Sequence, residues 1–116
     1  MPHCVIEYSK PLENSIHPAK LIEAVQNGAI NSGLFEPSHI RARAIAYDDF
    51  VAGYQVQNFI HVTLKILSGR DQEQKKNLSE MVLSELYKIG MGSISMTVEV
   101  KDIERETYAK KIISNH

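Results

Sequence analysis

The spacing of the apolar residues alternates between two periods, and it does so twice along the chain in the same order. A two-residue period is typical of a half-buried strand, and a period near 3.6 residues is typical of an amphipathic helix. The helix period occurs over 18–32 and 71–89, and the strand period occurs over 3–8, 40–48, 58–67 and 93–99. The pattern therefore predicts two consecutive β-α-β units.

The ends of both predicted helices carry residues that favour helix boundaries. Pro18 suits the first position of the first helix, and Gly33 suits the position just beyond its end. Asp71 and Gln74 have the spacing of a capping box at the start of the second helix, and Gly90 follows its last turn. These boundaries support the helix predictions independently of the hydrophobic pattern.

The order of elements restricts the fold. Parallel strands bridged by a helix cross over right-handed, so two such units side by side predict one α+β domain over 1–116. Its sheet is four-stranded and mixed, with both helices on one face. We expect Cys4, Ile45 or Phe59 on the uncovered face, and a half-apolar open face predicts a homo-oligomer. In the charged tail we predict only a short helix around 108–113.

The composition argues against several classes of protein. The net charge of −1 gives no basic excess, so nucleic-acid binding is not indicated. No apolar run approaches the ~20 residues that span a bilayer, and no secretory signal is visible. The single cysteine, Cys4, cannot form an internal disulfide, so we expect a cytoplasmic protein. His3, Cys4 and His61 lack the usual spacing of metal ligands, so no metal or other cofactor is predicted.

The first residues suggest a chemical group that could act as a base. Removal of Met1 would leave Pro2 with a secondary amine, held rigidly at the start of the first strand. An α-amine titrates at roughly 7.7–8.0, and burial or nearby cations lower that pKa into the range of a general base. The alternative is structural, since proline is also tolerated at the first residue of a strand.

Two arginines, Arg41 and Arg43, alternate along the second strand and therefore share one face. A solvated edge of the sheet would explain them without any function. An anion site is the functional interpretation, because the guanidinium group binds a carboxylate through two parallel hydrogen bonds.

Three stretches follow one another with a characteristic spacing. They are Pro-His-Cys-Val-Ile-Glu-Tyr-Ser over 2–9, Ile-Arg-Ala-Arg over 40–43, and His-Val-Thr-Leu-Lys-Ile-Leu-Ser-Gly-Arg over 61–70. In combination they resemble the 5-carboxymethyl-2-hydroxymuconate Δ-isomerase family of the tautomerase superfamily. The resemblance runs through nearly the whole chain and implies a tautomerase-like fold, a homotrimer whose sheets enclose a central core, and an active site at each subunit boundary.

The resemblance also implies an activity. It is the cofactor-independent isomerisation of a 2-hydroxymuconate-type polycarboxylate from aromatic-acid breakdown, such as 5-carboxymethyl-2-hydroxymuconate. Pro2 matches the proline that acts first as general base and then as general acid. Arg41 and Arg70 match residues that bind or polarise the substrate carboxylates and the 2-oxo group, and Arg43 matches a further recurrent arginine.

Two alternatives share this fold. The chain could form a non-catalytic tautomerase-like trimer that binds a small molecule or a protein. It could also be an isomerase for a simpler 2-hydroxymuconate or a phenylpyruvate-like enol. A free Pro2 amine with Arg41 and Arg70 converging on it distinguishes an enzyme from a binding scaffold.

Overall fold

Six main elements follow one another in the order that the hydrophobic periods predict. The computed structural model describes residues 1–115. It contains the strands β1 (His3–Ser9), β2 (Arg41–Tyr47), β3 (Asn58–Leu67) and β4 (Ile94–Ile103), and the helices α1 (Pro18–Asn31) and α2 (Gln72–Tyr87). Short 3-10 helices within the described part of the chain cover Lys10–Asn14, Pro37–His39 and Arg105–Thr107.

The four strands form one mixed sheet in the order β2-β1-β3-β4. Strand β1 pairs in parallel with β2 and antiparallel with β3, and β3 pairs in parallel with β4. Each parallel pair is bridged by a helix, and the two helices pack against the same face of the sheet. The predicted α+β arrangement, a four-stranded mixed sheet with both helices on one face, is confirmed.

Local interactions explain where the helices begin. The Asp71 carboxylate accepts a hydrogen bond from the backbone N–H of Gln74 at 2.8 Å, and the Gln74 side chain accepts one from the Asp71 N–H at 3.0 Å, so the capping box is confirmed. Helix α1 begins at Pro18, and the ring of His17 accepts a hydrogen bond from the Ala19 N–H at 3.0 Å. Within residues 1–115, no helix combines the length and apolar character that crossing a bilayer requires.

One face of the sheet and the apolar stripes of both helices form the core. Cys4 lies in this core with no solvent exposure, so the expectation that it could lie on the open face is wrong. Ile45 and Phe59 alternate with core residues and do lie on the open face, where Ile45 is 43% exposed. The fully buried aliphatic side chains are Ile6, Leu21, Val25, Ala29, Ile60, Val62, Leu64, Ile66, Leu78, Val82 and Leu86.

The helices approach each other closely at Gly28 in α1. A Cβ atom placed on Gly28 would lie 2.6 Å from the Val82 Cα and 3.0 Å from the Met81 carbonyl oxygen, both in the backbone of α2. The first distance is shorter than real Cβ atoms show and the second is tighter than most, so the packing of the two helices favours a glycine here.

The last quarter of the chain differs from its sequence prediction in two ways. Strand β4 continues to Ile103, four residues beyond the predicted end, because it pairs with the whole length of β3. The predicted helix around 108–113 is wrong, since this segment has no regular secondary structure. Its Tyr108 side chain instead contacts His3, and an isolated helix of six residues would be marginal in water.

Candidate active site

The amino-terminal residues lie where the two parallel strands β1 and β2 begin. Pro2 is buried immediately before β1, and its carbonyl accepts a hydrogen bond from the Arg41 N–H at 3.0 Å. His3 and Arg41 are partners in the β1–β2 register. The sheet therefore holds Arg41 beside the amino terminus.

Arg70 reaches the same region from the turn that follows β3. Gly69 before it has φ +129°, a backbone conformation that residues with a side chain rarely adopt. The Arg70 guanidinium donates a hydrogen bond to the Leu34 carbonyl at 2.7 Å and lies 5.5 Å from the centre of the Phe35 ring. These contacts fix the orientation of a cation that has further donors to offer.

Among the described residues, four positively charged side chains act on the terminal amine. Burial lowers the pKa of the Met1 ammonium, and the charges of Lys110, Arg70, Arg105 and Arg41, in that order, lower it further. Two of the predicted site residues, Arg41 and Arg70, thus act on one amine that is adjacent to Pro2. This environment favours the neutral form of an amine and attracts anions.

Arg43 lies one step further along the exposed face of β2. Its guanidinium is 3.3 Å from Nδ1 of His3, and it is the strongest charge acting on that imidazole. Burial first, then Arg43, Arg41 and Lys65, lower the pKa of His3 and favour its neutral form. Arg43 is therefore near the site, but its direct contact is with His3 rather than with the amine.

Arg105, Lys110 and Tyr108 belong to this region and were not identified from the sequence. Arg105 follows β4 as Arg70 follows β3, and the carboxyl ends of parallel neighbours meet at one edge of a sheet. A sequence prediction that ended β4 at Ile103 would therefore also have predicted that Arg70 and Arg105 lie close together. No sequence signal indicates the contact between Tyr108 and His3.

The four arginines of the chain all lie in this region. Within residues 1–115 none of them forms an ion pair with a carboxylate, although the protein carries a net charge of −1. Their identified hydrogen bonds go to backbone carbonyls or to His3, which leaves most of their donors free. Such an uncompensated cluster can bind carboxylates.

Other groups are less suited to chemistry. Burial raises the pKa of the Cys4 thiol to about 11, which keeps it protonated and unreactive. His61 lies on the open face, and its ring nitrogens are hydrogen-bonded to the Thr97 hydroxyl at 2.7 Å and to the Glu99 carboxylate at 2.6 Å. The described residues contain no group of three or more His, Cys, Asp or Glu side chains that could hold a metal ion.

A groove of about 900 Å³ lies between α2 and β4. It is lined by Lys76 and Val98 among others, and it does not include the arginine cluster.

Solved structures with this fold include proteins with related descriptions. A 5-carboxymethyl-2-hydroxymuconate delta-isomerase superposes with a TM-score of 0.79 at 16% identity, covering 97% of this chain and 88% of the other. A 5-carboxymethyl-2-hydroxymuconate isomerase from Deinococcus radiodurans R1 gives 0.76 at 22% identity, covering 95% and 88%. A fused 4-OT described as a symmetric trimer gives 0.62 at 19% identity, covering 89% and 86%.

The sequence comparisons identify the family. No curated protein matches the chain in sequence. The model of the 5-carboxymethyl-2-hydroxymuconate isomerase family matches residues 2–115, which is nearly the whole chain. The chain therefore belongs to the 5-carboxymethyl-2-hydroxymuconate isomerase family, as its sequence resemblance predicted, and it is an isomerase of that family.

Proposed function

We propose that the protein isomerises a 2-hydroxymuconate-type polycarboxylate, such as 5-carboxymethyl-2-hydroxymuconate, by proton transfer through the amine of Pro2. The observation that carries this proposal is the cluster of unpaired cations around the amino terminus. A substrate with several carboxylates complements that cluster. Such a compound would arise from the breakdown of aromatic acids.

The proposed mechanism requires that Met1 is removed, because only then does Pro2 carry a free amine. While Met1 is attached, the Pro2 nitrogen is a tertiary amide and has no lone pair available to act as a base. After removal, the nitrogen becomes a secondary amine one residue further in, within the same group of cations. Those charges favour the neutral amine over the ammonium and so keep it able to accept a proton.

The reaction is a 1,5 transfer of one proton along a conjugated system. The Pro2 nitrogen takes the proton from the 2-hydroxyl, and the O–H electron pair forms the C2=O bond as the double bonds shift. The resulting ammonium then delivers a proton to C5, which gives an unsaturated ketone and restores the neutral amine. Arg41 or Arg70 stabilises the negative charge that develops on the 2-oxygen, and no cofactor takes part.

We also propose that the active unit is a cytoplasmic homotrimer with its sites at the subunit boundaries. The open face of the sheet carries Ile45, Tyr47 and Phe59 beside polar groups, which suits contact with other copies of the chain. The trimeric state given for the fused 4-OT of this fold supports that assembly. The free, buried Cys4 is consistent with a reducing compartment.

The test combines intact mass with a ketonisation assay on protein purified without an amino-terminal tag. We expect the mass to lack one methionine, and turnover of 5-carboxymethyl-2-hydroxymuconate to disappear in Pro2→Ala while its circular dichroism is unchanged. Loss of Met1 with no turnover of any muconate or enol would contradict the proposal and favour a binding scaffold. A sample that retains Met1 is first treated with methionine aminopeptidase and then assayed.

A further inference from the structure

The segment after β4 is attached to both parts of the active site. Arg105 donates a hydrogen bond from Nε to the Ser68 carbonyl at 2.6 Å, next to the Gly69 turn that precedes Arg70. The Ser68 N–H in turn donates to the Ile103 carbonyl at 2.9 Å. The tail is therefore fixed against the segment that positions Arg70.

The second attachment is at the amino terminus. The Tyr108 hydroxyl lies 2.8 Å from Nε2 of His3, and the two rings make an edge-to-face contact with their centres 6.0 Å apart. His3 directly follows Pro2 in the chain. Residues 105–108 thus connect the Arg70 turn to the start of β1, and Lys110 follows two residues after this second attachment.

The tail brings two cations to the site. Arg105 and Lys110 both act on the terminal amine, and among the surrounding charges Lys110 has the largest effect on its pKa. Neither has a carboxylate partner within residues 1–115. With Arg41, Arg43 and Arg70, the region contains five cationic side chains, more than the two carboxylates and the 2-oxygen of a simple muconate require.

We propose that Arg105 and Lys110 form a separate carboxylate subsite, through which the enzyme selects substrates with a third carboxylate over dicarboxylates. This inference rests on the proposed function, since it assigns the extra carboxylate of a carboxymethyl-substituted muconate to the tail. Arg41 and Arg70 bind the part of the substrate that is common to both classes. The contacts of Ser68 and Tyr108 hold the subsite in place before the substrate arrives, which reduces the entropy lost on binding.

The experiment measures binding at equilibrium and so does not depend on turnover. The probes are two saturated compounds, hexanedioate and 2-(carboxymethyl)hexanedioate, which differ only in the carboxymethyl group that carries the third carboxylate. They are titrated calorimetrically into wild-type protein without Met1, into Lys110→Gln, and into Lys111→Gln. Lys111 is the matched control, because it is an exposed lysine of the same segment that does not act on the amine.

We expect the wild type to bind the tricarboxylate at least about 10-fold more tightly than the dicarboxylate, as a charge-assisted contact predicts. Lys110→Gln should lose about 10-fold for the tricarboxylate and less than 2-fold for the dicarboxylate, and Lys111→Gln should match the wild type. Arg105→Gln provides a second test with the same selective loss. Equal losses for both probes, no loss, or a wild type without preference would each overturn the subsite.

Failure of the subsite and failure of the proposed function would give different experimental results. A selective loss in Lys110→Gln, together with absent turnover in wild-type protein, would retain the subsite and reject the isomerase mechanism. Normal turnover without probe selectivity would reject the subsite alone. In an active enzyme assayed at a pH where the amine is neutral in both proteins, the same variant should raise KM for the tricarboxylate substrate about 10-fold.

Discussion

Replacement of Gly28 by alanine tests the packing that holds the two helices on the sheet. The new methyl group would lie 2.6 Å from the Val82 Cα, whereas ordinary contacts begin at 3.4 Å. The obstacle is backbone, so α1 and α2 must separate by about 0.8 Å, the difference between these distances. A gap of that size removes a quarter to a half of the dispersion energy of the contacts that it opens.

Two opposing contributions determine how much Gly28→Ala changes the free energy of unfolding. Alanine in place of glycine stabilises a helix interior by about 1 kcal/mol. Overpacking against an immobile neighbour costs about 1–3 kcal/mol, and the contact with backbone places Gly28 near the upper end of that range. We therefore expect Gly28→Ala to lower the free energy of unfolding by about 2 kcal/mol.

The assay is urea denaturation followed by circular dichroism at one fixed protein concentration, because association with other copies would also contribute to stability. Asn27→Ala is the matched control, since Asn27 is an exposed neighbour in the same helix and gains helix propensity without a clash. A Gly28→Ala protein as stable as the wild type, or more stable, would refute the reasoning from close helix packing.

Three further outcomes are expected. Arg70→Ala should reduce kcat by about 10²–10³ while the circular dichroism stays unchanged, and near-normal turnover would remove its assigned role. Because the surrounding cations lower the pKa of an amine at this end of the chain, kcat/KM should rise with pH through a midpoint below the pKa of the Pro2 amine in urea-unfolded protein and then level off; an equal or higher midpoint would contradict a cationic site. Cys4, with its thiol pKa raised to about 11, should react with iodoacetamide at least about 100-fold more slowly in native protein than in urea at pH 8, and equal rates would show that it is accessible.

The sequence predicts the interior of this fold better than its edge. Strand β3 has the predicted bounds, because its apolar residues alternate without interruption and its neighbours on both sides accept that register. The capping box at Asp71 was also predictable, since it depends on residues only three positions apart. Strand β4 was predicted too short, because Lys101 and Asp102 give no strand pattern and are held in the sheet only by pairing with β3.

The same difference applies to the candidate site, where residues in local motifs were predictable and residues brought in by long-range contacts were not. Pro2, Arg41 and Arg70 were identified through motifs, and the geometry places both guanidinium groups near the terminal amine, although their roles stay predictions. Arg105 and Lys110 were missed because their proximity depends on where β4 ends and on a long-range contact of Tyr108. Periodicity and local propensity contain no information on contacts of that kind.

The position of β1 between β2 and β3 has a consequence for maturation. The first strand to leave the ribosome cannot be enclosed until β3 has been made, and synthesis of residues 10–67 takes about 3–12 s at roughly 5–20 residues per second. Pro2 is buried once the sheet is complete, whereas Met1 stays partly exposed, so we expect an aminopeptidase to remove Met1 faster during that interval than after folding. On the proposed mechanism, a chain that folds before it is trimmed is a stable subunit that stays inactive until Met1 is removed.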